Sequence, residues 1–127
     1  MAVLIATHAA NLLAHHSIAG IYDSRKPLTV EGVVAEFRFM NPHPFLFIDV
    51  TDRGGKVTQW RLEMDNQREL ADVGVTSATF KPGDRVVVTG SHARDQSPGL
   101  YLRRLDRPAD GFWYEQTGGS PRIRPSR

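Results

Sequence analysis

Apolar residues recur along most of this chain at a spacing of two, and the period changes only once. From Leu28 to Phe39, Val30, Gly32, Val34, Glu36 and Arg38 fall on one parity, and Thr29, Glu31, Val33, Ala35, Phe37 and Phe39 on the other. Successive side chains of a strand point to opposite faces, so this stretch predicts one long strand, partly apolar on both sides. Gly32 predicts a bulge or sharp bend in it. A long, bent first strand is what a small barrel needs to pair with neighbours on two sides. The polar run Asp23-Ser24-Arg25-Lys26-Pro27 before it predicts a turn.

Asn41-Pro42-His43-Pro44 ends the first strand, because each proline lacks an N–H and biases the residue before it to extended geometry. Phe45 to Val50 is the second strand, Asp52-Arg53-Gly54-Gly55 a hairpin turn, and Val57 to Glu63 the third strand. Thr58, Trp60, Leu62 and the following Met64 form its expected core side, with Val57, Gln59, Arg61 and Glu63 opposite. Here the period changes. Asn66 caps a helix through Val73, Glu69 completes a capping-box spacing, and Gly74 stops it. Thr76 to Phe80 predicts a further helical turn, and Lys81-Pro82-Gly83-Asp84 a tight one. Asp84 to Ala93 and Leu100 to Leu105 are the fourth and fifth strands, joined by the loop Asp95–Gly99. Phe112 to Glu115 is a short additional strand.

The order strand, strand, strand, helix, strand, strand predicts an all-β fold with one short helix. Its expected form is a small five-stranded OB-like β-barrel with a C-terminal hairpin arm. Another half-open barrel of the same strand count is the alternative. The domain limits are residues 15–117, preceded by a signal-like segment 1–14 and followed by a disordered basic tail 118–127.

Composition narrows this picture. The chain has 127 residues, enough for one core, and no cysteine, which excludes disulfides and thiolate chemistry. Net charge is +2, but the segment from Gly118 onward carries three arginines and no acid, so residues 1–117 are net −1. A nucleic-acid-binding barrel concentrates its cations on the folded face, so oligonucleotide binding is the weaker expectation. Residues 2–14 are uncharged and mostly apolar, and Leu12-Leu13-Ala14 suits signal cleavage. No basic leader follows Met1, and Thr7, His8 and Asn11 interrupt the run; a truncated signal peptide accounts for both. The expected location is periplasmic or secreted, with a short N-terminal helix of a cytosolic protein as the alternative. The run is too short to cross a membrane.

Cleavage after Ala14 leaves His15-His16-Ser17 at the new N-terminus, where an α-amine beside two imidazoles suits copper or nickel. His43 lies between strands one and two, and His92 beside the loop between strands four and five. These are the two binding edges of an OB barrel. His15, His16, His43 and His92 are therefore the candidate ligands of one copper, nickel or zinc ion. The plainer readings are a solvated end for His15 and His16, a backbone hydrogen bond for His43, and a half-buried strand position for His92. Asn41 in the proline corner, Glu63 at the end of strand three and Trp113 in the aromatic arm are candidate ligand or partner contacts. Trp60 is expected in the core. No nucleophile elbow, phosphate loop, zinc-protease or dinucleotide motif is present, so no catalytic residue is assigned and no enzyme is expected. The expectation is a non-enzymatic binding module for a metal ion or protein partner; an oligonucleotide-binding or assembly domain is the alternative.

Several stretches, in order, carry a resemblance. They are Ala14-His15-His16-Ser17, Tyr22-Asp23, Lys26-Pro27, Gly32-Val33-Val34, Asn41-Pro42-His43, Phe47-Ile48-Asp49-Val50, Trp60-Arg61-Leu62-Glu63 and Lys81-Pro82-Gly83-Asp84. With them the chain resembles a family of small exported bacterial proteins of unknown function over residues 14–105. The resemblance implies an exported location, a His-His-Ser stretch directly after the signal peptide, and the domain limits. It implies no activity, substrate or catalytic residue. Met40 and the arm and tail after Leu105 depart from the family's pattern.

Overall fold

The computed structural model describes residues 18–127, beginning with a helical turn over residues 18–21. Seven strands follow: β1 Tyr22–Arg38, β2 Phe45–Thr51, β3 Val57–Glu63, β4 Arg85–Ala93, β5 Gly99–Arg107, β6 Phe112–Glu115 and β7 Arg122–Arg124. One helix, Gln67–Asp72, lies between β3 and β4. The N-terminal part of β1 pairs with β4 and its C-terminal part with β2, all antiparallel, as the strand's length predicts. β2 then pairs with β3, and β4 with β5. The start of β5 lies parallel to the end of β3, Arg61–Glu63 against Gly99–Tyr101, which closes a ring of five strands. β6 and β7 extend the sheet beyond β5.

The alternating pattern explains what the ring encloses. Leu46 and Ile48 of β2, Leu62 of β3, Val86 and Val88 of β4, and Leu100, Leu102 and Leu105 of β5 are all fully buried. Leu70, the one buried residue of the helix, joins this core with Met64 and Val75. The helix begins as expected: Asn66 Oδ1 accepts from Glu69 N–H at 2.9 Å, and Gly74 beyond its end has φ +101°. Gly90 serves a close approach. A Cβ there would stand 2.3 Å from the Tyr101 carbonyl oxygen, at the point where the β4–β5 register shifts. Gly32 does the same against Asp49, whose carbonyl oxygen would meet its Cβ at 2.6 Å. The β1–β2 register shift itself falls later, between Val34 and Glu36.

Four expectations need correction. Asp23–Pro27 is not a turn but an irregular part of β1, because Tyr22 and Asp23 already pair with Ala93 and His92 before the register shifts. Residues 76–80 form turns rather than a helical turn, held by Thr76 N–H donating to Thr79 Oγ1 at 2.8 Å. Trp60 is only partly buried, packed on the outside of the core and against His92. The tail from Gly118 is not wholly irregular: Arg122–Arg124 adds β7 to β6, Ile123 packs on the core, Pro121 is buried, and Arg122 bridges Glu115. A lone apolar residue among arginines and prolines gave no period, yet one strand pair needs no more. Residues 1–14, read as a signal segment, lie outside the described residues. No helix among the described residues is long and apolar enough to cross a membrane.

Candidate functional site

The proline corner between β1 and β2 is tied to the start of the helix by three hydrogen bonds. Met64 N–H donates to the Pro44 carbonyl at 3.0 Å, and Gln67 N–H to the Pro42 carbonyl at 2.9 Å. His43 Nδ1 lies 2.7 Å from the Met64 carbonyl oxygen. A carbonyl can only accept, so Nδ1 carries the hydrogen and Nε2 of a neutral ring holds a free lone pair. The Asn41–Pro42 peptide is cis.

Below the corner sits a second layer. Glu63, expected at the surface, has a side chain only 12% exposed. One of its carboxylate oxygens accepts from Tyr22 Oη at 2.7 Å, and the other stands 3.9 Å from His43 Nδ1. Tyr22 leans on Tyr101 with ring centroids 5.9 Å apart. Burial, followed by the Glu63 carboxylate, pushes the Tyr22 hydroxyl well above the usual phenol range, and burial does the same to Tyr101.

Above this layer opens a cleft of about 770 Å³. Pro42 and His43 enter it from the corner, Asp65 and Glu69 from the start of the helix, Tyr101 and Arg103 from β5, and Gln116 from the segment after β6. Ile18 lies at its rim. A chain of hydrogen bonds crosses it. Arg103 Nη1 donates to Gln116 Oε1 at 3.0 Å, and Gln116 Nε2 donates to Asp65 Oδ2 at 3.0 Å. The other Asp65 oxygen accepts from Asn66 N–H at 2.8 Å. Gln116 is itself fixed by Gly118 N–H and the Gly119 carbonyl. The Arg103 guanidinium also lies over the Tyr101 ring, 4.8 Å from its centroid. The adjacent Asp65 carboxylate, hydrogen-bonded and of like charge, raises the Glu69 carboxyl above its ordinary value. The cleft thus has a cationic end at Arg103 and an anionic end at Asp65 and Glu69, held apart by one amide.

The residues singled out from sequence fall in different places. His43 lines this cleft, and its expected backbone hydrogen bond is present. His92 lines a separate cleft of about 450 Å³ with Asp23, Arg25 and Arg94. Its ring stacks on Trp60, and its Nε2 lies 3.1 Å from the Ser97 carbonyl oxygen. In that cleft the Arg25 side chain holds the Asp23 carboxyl down at about 2. The structure therefore does not bring His43 and His92 to one point. His15 and His16 lie outside the described residues. Among the described residues, no group of three or more His, Asp or Glu is placed to hold a metal ion. Asn41 is exposed at the corner and does not line the cleft. Trp113 packs under the Arg104 guanidinium, 4.7 Å from the ring centroid, and pairs across strands with Arg124.

Sequence reasoning missed Asp65, Glu69, Arg103 and Gln116 as a group. The capping signal absorbed Asn66 and Glu69. Arg103 and Gln116 meet only through the β5–β6 register, where Gln116 N–H donates to the Arg103 carbonyl at 2.8 Å.

The sequence profile of DUF6152, a family of unknown function, matches residues 3–101. The chain belongs to this family. No curated protein and no solved structure matches it.

Proposed function

We propose that this member of the DUF6152 family is an exported, non-enzymatic binding module built on an OB-like barrel, with its ligand site in the His43 cleft. The ring order β1–β2–β3–β5–β4 with a helix between β3 and β4 supports the barrel. The cleft adjoins the β1–β2 corner, one of the two edges where that fold takes its ligands. One observation carries the functional reading. Side chains of opposite charge from two segments, Asp65 and Glu69 at the helix start and Arg103 on β5, line one concave surface with the Gln116 amide between them, and Asp65 and Arg103 are each oriented by a hydrogen bond or ring contact. Export rests on the apolar segment 2–14.

The test is a 1H–15N NMR titration of the chain beginning at His15 with acetate, phosphate, methylammonium, glucose and L-alanine, each to about 20 mM, a range that reaches millimolar affinity. The expected result is that the amides of His43, Asn66, Arg103, Gln116 and Gly118 shift together with at least one of these compounds. If none moves that set, the cleft is not a small-ligand site.

A second reading has its own observation. The Nδ1–H of His43 is committed to the Met64 carbonyl, which is how metal-ligating histidines are commonly oriented, with Nε2 outward. The described residues supply that imidazole but no group of three ligands around it, so the further ligands for copper, nickel or zinc would come from His15 and His16. Titration calorimetry with Cu(II), Ni(II) and Zn(II) tests this. Affinity weaker than about micromolar, or unchanged in His43→Ala, removes it.

A further inference from the structure

We infer that the His43 cleft selects zwitterionic α-amino acids, with the ligand carboxylate on Arg103 and its ammonium at Asp65 and Glu69. The inference rests on the cleft being the ligand site and adds the ligand class. Three arginines lie on the second half of β5, and two are fully engaged. Arg104 pairs with Asp106 and Glu115, and Arg107 with Asp84 and Asp110. Arg103 has no carboxylate within ion-pair distance among the described residues. It spends one donor on the Gln116 amide oxygen and rests its plane on Tyr101. A guanidinium carries five N–H donors in a planar fork, so the edge that remains matches a carboxylate. Its stack on Tyr101 fixes that edge in advance, which reduces the ordering cost of binding.

The opposite end favours a cation for a complementary reason. Asp65 is buried, and its oxygens accept from the neutral Asn66 amide and Gln116 side chain with no cation within ion-pair distance among the described residues. Glu69 stands beside it. An ammonium group at this end relieves their mutual repulsion and supplies three donors. A ligand of one sign meets a like charge at one end of the cleft or the other, which selects against simple anions and simple cations.

Length then separates zwitterions from one another. Two hydrogen bonds of 3.0 Å joined through one amide group place Arg103 Nη1 within about 8 Å of Asp65 Oδ2. An α-ammonium carboxylate has its charged atoms about 3 Å apart and, with charge-assisted bonds of about 2.8 Å at each end, covers that span. A γ-amino acid matches it only in folded conformers, whose ordering costs affinity, and a dipeptide's planar amide holds its charges farther apart. The remaining volume, toward Ile18 and His43, is left for the amino-acid side chain.

The experiment is an NMR titration of the chain beginning at His15 with L-alanine, L-leucine, γ-aminobutyrate, acetate and methylammonium. The expected result is saturable shifts of the Arg103, Gln116 and Asn66 amides with both α-amino acids, at least about tenfold weaker with the other three compounds. Tenfold corresponds to about 1.4 kcal/mol, within what one charge-assisted hydrogen bond supplies. Arg103→Gln and Glu69→Gln should each weaken α-amino-acid binding about tenfold while the remaining spectrum and the circular dichroism stay native. If acetate or methylammonium binds at these amides as well as L-alanine does, the zwitterion is overturned and the cleft stands as a site. If γ-aminobutyrate binds equally well, the α-selectivity is overturned. If no compound moves these amides, both the ligand class and the site fail.

Discussion

Arg103 and Arg107 lie four residues apart on β5, and the protein uses them in opposite ways. Arg107 is a closed hub. Its side chain is 12% exposed and donates to both oxygens of Asp110, to Asp84 Oδ2 at 3.0 Å and to the Thr79 carbonyl at 2.6 Å, with its plane 4.8 Å from the Phe112 ring centroid. It ties the turn before β4, the β5–β6 turn and the strand end together. Arg103 is an open one, with a neutral amide and an aromatic face as its partners. Desolvating a guanidinium is costly, and internal carboxylates offset that cost at Arg107. At Arg103 the charge stays half-exposed beside a cleft with its fork unfilled. The same residue type is structural where the fold completes its valences and available for recognition where the fold leaves them open.

Truncating each side chain separates the two roles. Arg107→Met should cost about 3 kcal/mol in urea denaturation, because it strands Asp84 and Asp110 without their cation against the sheet. Arg103→Met should cost under about 1 kcal/mol. Equal losses would show that Arg103 is as structural as its neighbour. The pH profile adds a sign. Arg107 holds the Asp110 carboxyl below its ordinary value. That contribution is present above the unfolded carboxyl pKa and lost as pH falls through the lower folded one. The Arg107→Met penalty should therefore shrink as pH falls below about 4.

Deleting residues 121–127 should have the next largest effect, about 2 kcal/mol, through loss of the Ile123 packing, the β6–β7 pairing and the Arg127 N–H bond to the Asp110 carbonyl. This segment lines the Arg107 cleft and not the Arg103 one. A truncated chain should keep native NMR shifts at Gln116 and Arg103 while those around Phe112 move. Broad loss of shifts at both clefts would mean that the two ends of β5 are not independent.

Much of the frame was legible before the structure. Alternation located β2 and β3 almost to the residue, because Leu46, Ile48 and Leu62 must face inward. Asn66 and Gly74 bounded the helix by their own conformational chemistry. What stayed hidden depends on register and on single residues. β1 begins early because Tyr22 and Asp23 pair with β4 across an irregularity that their polarity disguises. β7 depends on Ile123 alone. The cleft was hidden most deeply, since Asp65, Arg103 and Gln116 are far apart in the chain and each reads locally as a surface residue. The histidines were conspicuous by rarity, yet among the described residues only His43 lines this cleft, and His92 spends its ring on Trp60 and Ser97.

Tyr114 offers a smaller test from the buried side. It is fully buried, and its hydroxyl is the one buried side-chain polar atom among the described residues without a hydrogen-bond partner. Burial pushes that hydroxyl far above the phenol range. An unsatisfied buried group costs stability, so Tyr114→Phe should be neutral or stabilising by up to about 1 kcal/mol. A loss of more than that would mean the hydroxyl has a partner that matters, on the core side of the open cleft.

The finest test concerns the anionic end itself. Asp65 raises the folded-state pKa of Glu69 above its unfolded value. The folded protein then holds that proton more tightly than the unfolded chain, so this group's contribution falls as pH rises from the unfolded value through the folded one. Glu69→Gln keeps the capping geometry and removes the titration. The difference in stability between variant and wild type should therefore move in the variant's favour by a few tenths of a kcal/mol between about pH 4 and pH 7. The loss of a negative charge from the first helical turn opposes this by a similar amount, but above the folded pKa that term no longer changes with pH. The diagnostic quantity is hence the slope and not the absolute stability. Saturating an α-amino acid should flatten the slope in the wild type, since an ammonium beside Asp65 and Glu69 lowers the raised pKa. A slope that the ligand leaves unchanged would place the ammonium elsewhere in the cleft.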